Sequence, residues 1–255
     1  MINSVILFDL PGLNDMPAFE RWYMRYHAPQ VIARFQPWLT RYVSYRVVPA
    51  PGDAQAYGVY NYRLSQAWWR ELPGPPTDAL SFDQPKGMTG APAGVLIDLP
   101  PHATEDFMGG EEAADSKNIL RWVTIFKYPD GVSIEEGEDW YLKVHAPEIM
   151  NQPGLTRFFS YRAIPSSGPL PGWKSPKGGE DAAPPPTPWV RLSELWYENF
   201  DGWRRSVISS PPTYTAPPWA KHFTYPFLHP KTDFVSAFVL ESPSDDFLRD
   251  LRGYV

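Results

Sequence analysis

Apolar and β-branched residues run together from Ser4 to Leu10 and stop at Pro11-Gly12, the pattern of a short strand closed by a turn. Beyond the turn the apolar period lengthens. Phe19, Trp22, Tyr23, Tyr26 and His27 recur at helical spacing, with Asn14 or Asp15 placed to cap the helix. Pro29 lacks an amide hydrogen and crowds the preceding turn, so the helix is expected to kink or end there. Leu39–Val48 reads as the next strand, with Tyr45 and Arg46 on opposite faces. A third strand is placed at Tyr57–Arg63 and a second helix at Ser65–Leu72.

The same pattern then returns. Val5–Pro29 aligns without a gap against Val123–Pro147, matching Phe8 with Phe126, Trp22 with Trp140, Tyr23 with Tyr141, His27 with His145 and Pro29 with Pro147. Leu39–Val48 (LTRYVSYRVV) matches Leu155–Ile164 (LTRFFSYRAI) in the same order. A repeat this long is a duplicated domain rather than a solenoid unit. The first half is read as residues 1–112 and the second as 119–255, joined by a polar linker at Gly109–Asn118. In the second half Ser133, Glu135 and Glu136 open the helix with a cap and acids that suit its dipole.

Later elements are aligned through Trp68 with Trp203 and Arg70 with Arg205, giving a third strand at Arg191–Glu198 and a helix at Asp201–Ser209. A rival register, Arg63-Leu64-Ser65 on Arg191-Leu192-Ser193, is set aside because it would move the second helix out of phase. The chosen register leaves an insertion at Ser166–Pro188, rich in Pro and Gly and read as a surface excursion or a lid over one pocket. Phe234–Glu241 is a good fourth strand. Its partner is either Val95–Leu99, by propensity, or Asp106–Glu111, by matching Thr104, Asp106 and Phe107 with Thr232, Asp233 and Phe234. Each half thus reads β-α-β-β-α-β, an α+β, ferredoxin-like arrangement.

Composition narrows the partners. A net charge of -6 argues against nucleic acid, which needs a basic face. The absence of basic runs argues against a membrane surface, and an N-terminus without a cationic or long apolar segment makes the cytoplasm the expected compartment. Zero cysteines exclude disulfides and thiolate chemistry. No metal signature appears: His27, His102, His145, His222 and His229 show no paired metal-ligand spacing. No glycine-rich phosphate loop is present.

The motif Trp-Tyr-x-x-x-His-Ala-Pro on the first helix, followed by Leu-Thr-Arg-aromatic-x-Ser-Tyr-Arg on the second strand, resembles the EthD-like proteins of the dimeric α/β-barrel superfamily. The resemblance implies two four-stranded antiparallel sheets packed as a barrel with helices outside. Subunits usually supply one sheet each; here the two fused ferredoxin-like halves are expected to form an intrachain dimeric α/β-barrel, and a further homodimer stays open. Relatives of this type include cofactor-free monooxygenases, polyketide cyclases, muconolactone isomerases and haem-dependent enzymes, and fold alone does not choose among them.

The candidate chemistry sits on the repeated motif. Tyr23 and His27, like Tyr141 and His145, are four apart on a helix, so their side chains share a face as an acid–base pair. Arg46 and Arg162 offer cations for a carboxylate or enolate. Trp22, Trp140, Trp68 and Trp203, with Tyr45 and Tyr161, offer walls for an aromatic substrate. Each has a plainer reading: helix-end histidines bonded to carbonyls, ordinary strand tyrosines, arginines paired with surface acids. No cofactor is expected, although a haem with His27, His145 or His222 as axial ligand is left open. The expected function is a cofactor-independent lyase, decarboxylase or isomerase acting on a small aromatic or polyketide-like carbonyl compound. The alternatives are a cofactor-free oxygenase and a non-catalytic protein that binds a hydrophobic ligand.

Overall fold

The computed structural model describes residues 1–9, 13–60, 62–72, 93–98, 103–109, 120–165 and 188–251. Most of the insertion at Ser166–Pro188 and most of the linker at Gly109–Asn118 lie outside these residues, as does His102. The first half contributes β1 (Ile2–Asp9), α1 (Met16–Trp22), a π-helical turn (Tyr23–His27), α2 (Ala28–Phe35), β2 (Leu39–Tyr45), β3 (Tyr62–Trp69), β4 (Ala93–Asp98) and β5 (Glu105–Asp106). The second contributes β6 (Leu120–Phe126), α3 (Ile134–Trp140), another π-helical turn (Tyr141–His145), α4 (Ala146–Ile149), β7 (Leu155–Arg162), β8 (Arg191–Tyr197), α5 (Phe200–Arg204), β9 (Phe234–Leu240), β10 (Asp245–Asp246) and α6 (Phe247–Leu251).

These strands make two five-stranded sheets, ordered β10-β2-β3-β1-β4 and β5-β7-β8-β6-β9. Without β10 and β5, each sheet has the ferredoxin-like order, and every pairing within the sheets is antiparallel. Alternation along the strands explains the layers. Val5, Leu7, Val43, Leu64 and Val95 of one sheet pack against Val123, Ile125, Leu192, Val235 and Val239 of the other, forming the inter-sheet core. The opposite faces pack under helices, around Phe19, Trp22 and Tyr23 in one half and Trp140, Tyr141 and Trp203 in the other. The chain is therefore an intrachain barrel of the dimeric α/β type.

The barrel closes at its corners. Ile97 bridges Ala163, and Val59 bridges Ser236. At the second corner Ser236 Oγ donates to the Gly58 carbonyl at 2.8 Å. Gly58 has φ 75°, and a Cβ there would lie 2.1 Å from the Phe234 ring, so only glycine fits both the turn and the contact. A reciprocal exchange adds to the closure: β5, at the end of the first half, pairs with β7, and β10, at the end of the second, pairs with β2.

Three expectations need correction. Ser65–Leu72 is not a helix, and Tyr57–Arg63 is not the third strand; Tyr62–Trp69 is. Both faces of this strand are covered, Leu64 by the inter-sheet core and Ala67 and Trp69 by the helix layer, so its run of buried residues lacks the alternation that marks a strand. Leu64 opposes Leu7 as Leu192 opposes Ile125, so Arg63-Leu64-Ser65 does correspond to Arg191-Leu192-Ser193, the register set aside. The matches of Trp68 with Trp203 and Arg70 with Arg205 are accidental. The counterpart of β9 in the first half is Ala93–Asp98, the choice propensity favours: it pairs with β1 as β9 pairs with β6, and Glu105-Asp106-Phe107 corresponds instead to Asp245-Asp246-Phe247. Asp15 occupies the cap position of α1 but accepts no amide hydrogen bond. Among the described residues, no helix is long and apolar enough to cross a membrane.

Candidate functional site

Each repeated helix widens where the motif predicts a break. Pro29 and Pro147 cannot donate to the preceding turn, and the helix absorbs them by a π turn in which Ala28 and Ala146 donate to the carbonyls of Tyr23 and Tyr141. The helix then continues as α2 or α4. The turn directs Tyr and His inward, and all four side chains are buried.

In the second half this arrangement borders a pocket between the helix and the outer face of the sheet. Trp122, Thr124 and Phe126 of β6 and Ser193 and Leu195 of β8 form its floor. Trp140, Tyr141, His145 and Ile149 form one wall, and Tyr225, Pro226 and Leu228 the other. About 440 Å³ of empty space lies within, part of it opening to solvent.

His145 is stacked on Trp140 at 4.4 Å between ring centroids, with Tyr225 5.6 Å away. Its Nδ1 is buried and has no hydrogen-bond partner. Burial alone lowers its pKa to about 3, so the ring is neutral at physiological pH. Tyr141 does not bond to His145; their centroids are 6.1 Å apart. Its hydroxyl instead meets Ser193 Oγ at 2.8 Å and Ser160 Oγ at 3.1 Å. Burial pushes its pKa up to about 12, against the pull of those two hydrogen bonds and of Arg191. Ser193 carries this hydroxyl pair to the pocket surface.

Behind the pair lies Arg191, 1% exposed, its guanidinium carbon 4.9 Å from the Tyr141 ring centre. It donates to Ser160 at 2.9 Å, to Glu138 at 2.7 and 2.6 Å, and to Glu105 at 2.5 and 3.2 Å. The first half repeats the cluster. Arg63 donates to Glu20, Ser44 and Asp245 and lies 3.9 Å from the Tyr23 ring centre, while the Tyr23 hydroxyl meets Tyr42 and Ser65.

Other candidates are dispersed. Arg46 and Arg162 are exposed at the ends of β2 and β7, and Arg46 faces Glu20 and Asp245 at 3.8 and 3.7 Å. They line no part of the pocket. Tyr45, Tyr161 and Trp68 belong to the inter-sheet layer, where Tyr45 accepts from Arg121 at 3.2 Å. Trp203 is fully buried against Trp122 and Phe238. His27 and Trp22 pack together, with Phe8 and Tyr23, in the first half. Arg63, Arg191 and Ser193 were missed, yet all three stand in the rejected register, which repeated an Arg and a Ser two residues apart. Tyr225 lies outside the two best-matched repeat blocks and carried no signal.

Among the described residues, no lysine or arginine lines the pocket. Among the described residues, no group of three or more His, Asp or Glu is placed to hold a metal ion.

Comparisons with known proteins place these features in context. A family model for the chalcone isomerase N-terminal domain matches residues 1–81, about a third of the chain and no residue of the pocket. It differs from the EthD-like family that the motif resembles. No curated protein matches the chain. Among solved structures, the chain is similar to an anthrone oxidase-like protein at 10% identity, with 82% of this chain and 79% of that one covered and a TM-score of 0.45. It is also similar to chlorite dismutase from Candidatus Nitrospira defluvii at 8% identity, with 80% and 79% covered and a TM-score of 0.34. Likenesses this distant say nothing about chemistry.

Proposed function

We propose that the second half binds a small, flat aryl carbonyl compound, and that His145 moves a proton on it without a cofactor, as in an isomerase or lyase. One observation carries this reading: the unpartnered Nδ1 of a neutral, buried imidazole in a pocket walled by aromatic rings. Such an imidazole can take a proton from the carbon beside the carbonyl. The ligand oxygen, becoming an enolate, would then accept from the Ser193–Tyr141 hydroxyl pair. Burial keeps His145 weakly basic in the empty site, but an enolate beside it favours the imidazolium, because opposite charges attract strongly where water is excluded. Trp140 and Tyr225 hold the aromatic plane.

The test follows exchange of the α-hydrogens of a panel of aryl alkyl ketones in heavy water by NMR. The protein is expected to accelerate exchange on at least one ketone. His145→Phe should lose about two to four orders of magnitude, the usual contribution of a positioned base. His27→Phe should retain the rate. Unchanged exchange in His145→Phe overturns the reading, whereas turnover that depends on oxygen would assign the same base to a cofactor-free oxygenase.

A further inference from the structure

Thr124 and Ser193 stand opposite one another on β6 and β8, and both line the pocket floor. The Cβ atoms of directly opposed strand residues lie about 4.5–5.5 Å apart, so the two hydroxyls are neighbours. Their commitments differ. Ser193 Oγ meets the Tyr141 hydroxyl at 2.8 Å. Ser236, opposite Thr124 on its other side, accepts from Trp122 Nε1 at 2.9 Å and donates to the Gly58 carbonyl at 2.8 Å. Among the described residues, neither serine bonds to the hydroxyl of the half-buried Thr124. The first half holds Ile6 in this place, opposite Ser65, whose Oγ accepts from Tyr23 at 3.0 Å. Ile6 packs into the apolar cluster around Trp22 and Tyr23. The Ser–Tyr pair is therefore common to both halves, while the hydroxyl beside it belongs to the second. Isoleucine and threonine are both β-branched and both suit a strand, so the fold does not call for that hydroxyl.

Building on the pocket reading above, we propose that the ligand carries a second oxygen on the carbon beside the carbonyl, as in an aryl α-hydroxy ketone, and that Thr124 is the residue that selects it. With the ring held between Trp140 and Tyr225, the carbonyl oxygen meets Ser193 and the neighbouring hydroxyl meets Thr124. The carbon bearing that hydroxyl gives its proton to His145. The C–H electron pair becomes a carbon–carbon double bond, and the carbonyl pair moves onto its oxygen. The product is an enediolate whose two oxygens lie on one side, each against one hydroxyl of the floor. Return of the proton from His145 restores the ketone. A ligand lacking the second oxygen leaves Thr124 without its partner and forgoes that hydrogen bond.

Three ketones test the inference by NMR titration: acetophenone, 2-hydroxy-1-phenylethanone, and its isomer 4-hydroxyacetophenone, which carries the same hydroxyl at the far end of the ring. The α-hydroxy ketone should bind about fivefold tighter than acetophenone, the usual return of one added hydrogen bond, and the 4-hydroxy isomer should not share the gain. Thr124→Val keeps the branched shape and removes the hydroxyl. It should bring the preference for the α-hydroxy ketone over acetophenone below about twofold, whereas Thr124→Ser should retain it. A change in packing alone would weaken both ketones together and leave their ratio in place. If the ketones bind but wild type shows no preference for the α-hydroxy ketone, or Thr124→Val keeps that preference, the selectivity inference is overturned alone. If none of the three ketones binds, the pocket reading fails and takes the inference with it.

Discussion

His27 and His145 occupy the same turn of the same helix in the two halves, and both are buried. Their surroundings have diverged. His27 is packed by Phe8, Trp22 and Tyr23, all from its own repeat block, whereas His145 is flanked by Trp140 and by Tyr225 of a segment outside the blocks. The inter-sheet layer has diverged further. Arg121 pairs with Glu194 at 2.8 Å in the second half. The first half has Asn3 and Gln66 in the equivalent places, and both amide atoms of Asn3 are buried without partners. The buried clusters of Arg63 and Arg191, by contrast, are kept almost group for group. A duplicated chain can change the rings around a histidine gradually. It cannot lose one member of a buried ion cluster without stranding the others.

That contrast predicts the largest effect. Arg63→Met and Arg191→Met each take the buried cation away from two carboxylates in a poorly hydrated site. Each should cost about 3–5 kcal/mol in urea unfolding, the usual penalty for removing one partner from a buried ion pair. The losses should be similar in the two halves, because the arginines are 0% and 1% exposed and each acid partner is at most 23% exposed. A loss below about 1 kcal/mol in either would mean that water reaches the cluster and screens it.

How much of this was legible depends on where the signal lay. The duplication, the strand-helix-strand units and the inward His and Tyr were readable because sequence identity and helical spacing agreed over the same residues. The pocket placed His145, Tyr141 and Trp140 together, as their spacing on one helix face allows. The third strand of the first half was not readable. Burial on both faces erased its alternation, and two tryptophans offered a false register. Arg46 and Arg162 drew attention as the motif's repeated arginines, yet strand alternation puts them at exposed ends. The arginines of these clusters are buried on β3 and β8, each against acids from two other segments, a juxtaposition only the folded chain displays. The exchange of β5 and β10 was hidden because two-residue strands carry no period at all.

A smaller effect separates the histidines by pH. Burial holds both near a pKa of about 3, with Arg63 adding a like-charge repulsion at His27 and no charged group doing so at His145. In the unfolded chain each titrates near 6.5, so the unfolded state binds more protons between these values. The stability from keeping each ring neutral is therefore complete above about pH 6.5 and is lost as the pH falls towards 3. The slope is about 1.4 kcal/mol per pH unit for each histidine. Replacing either by Phe should flatten the stability profile between pH 6 and 4 by about that amount. An unaltered slope in one variant would show that its histidine protonates freely in the folded protein.

The smallest expected difference lies at the helix starts. Ser133 has an extended backbone (φ -69°, ψ 153°), and its Oγ accepts from the Glu136 amide at 3.1 Å, satisfying a donor that α3 would otherwise leave free. Asp15 stands in the corresponding place before α1 with helical angles (φ -89°, ψ -7°) and makes no such bond. Ser133→Ala should cost about 1 kcal/mol, the usual value for losing an N-cap, whereas Asp15→Ala should cost no more than about 0.5 kcal/mol, because only its attraction to the helix dipole is removed. Paired thermal and urea unfolding of the two variants checks the contrast. Equal losses would mean that Asp15 caps its helix in solution, and that the two halves begin their site helices in the same way after all.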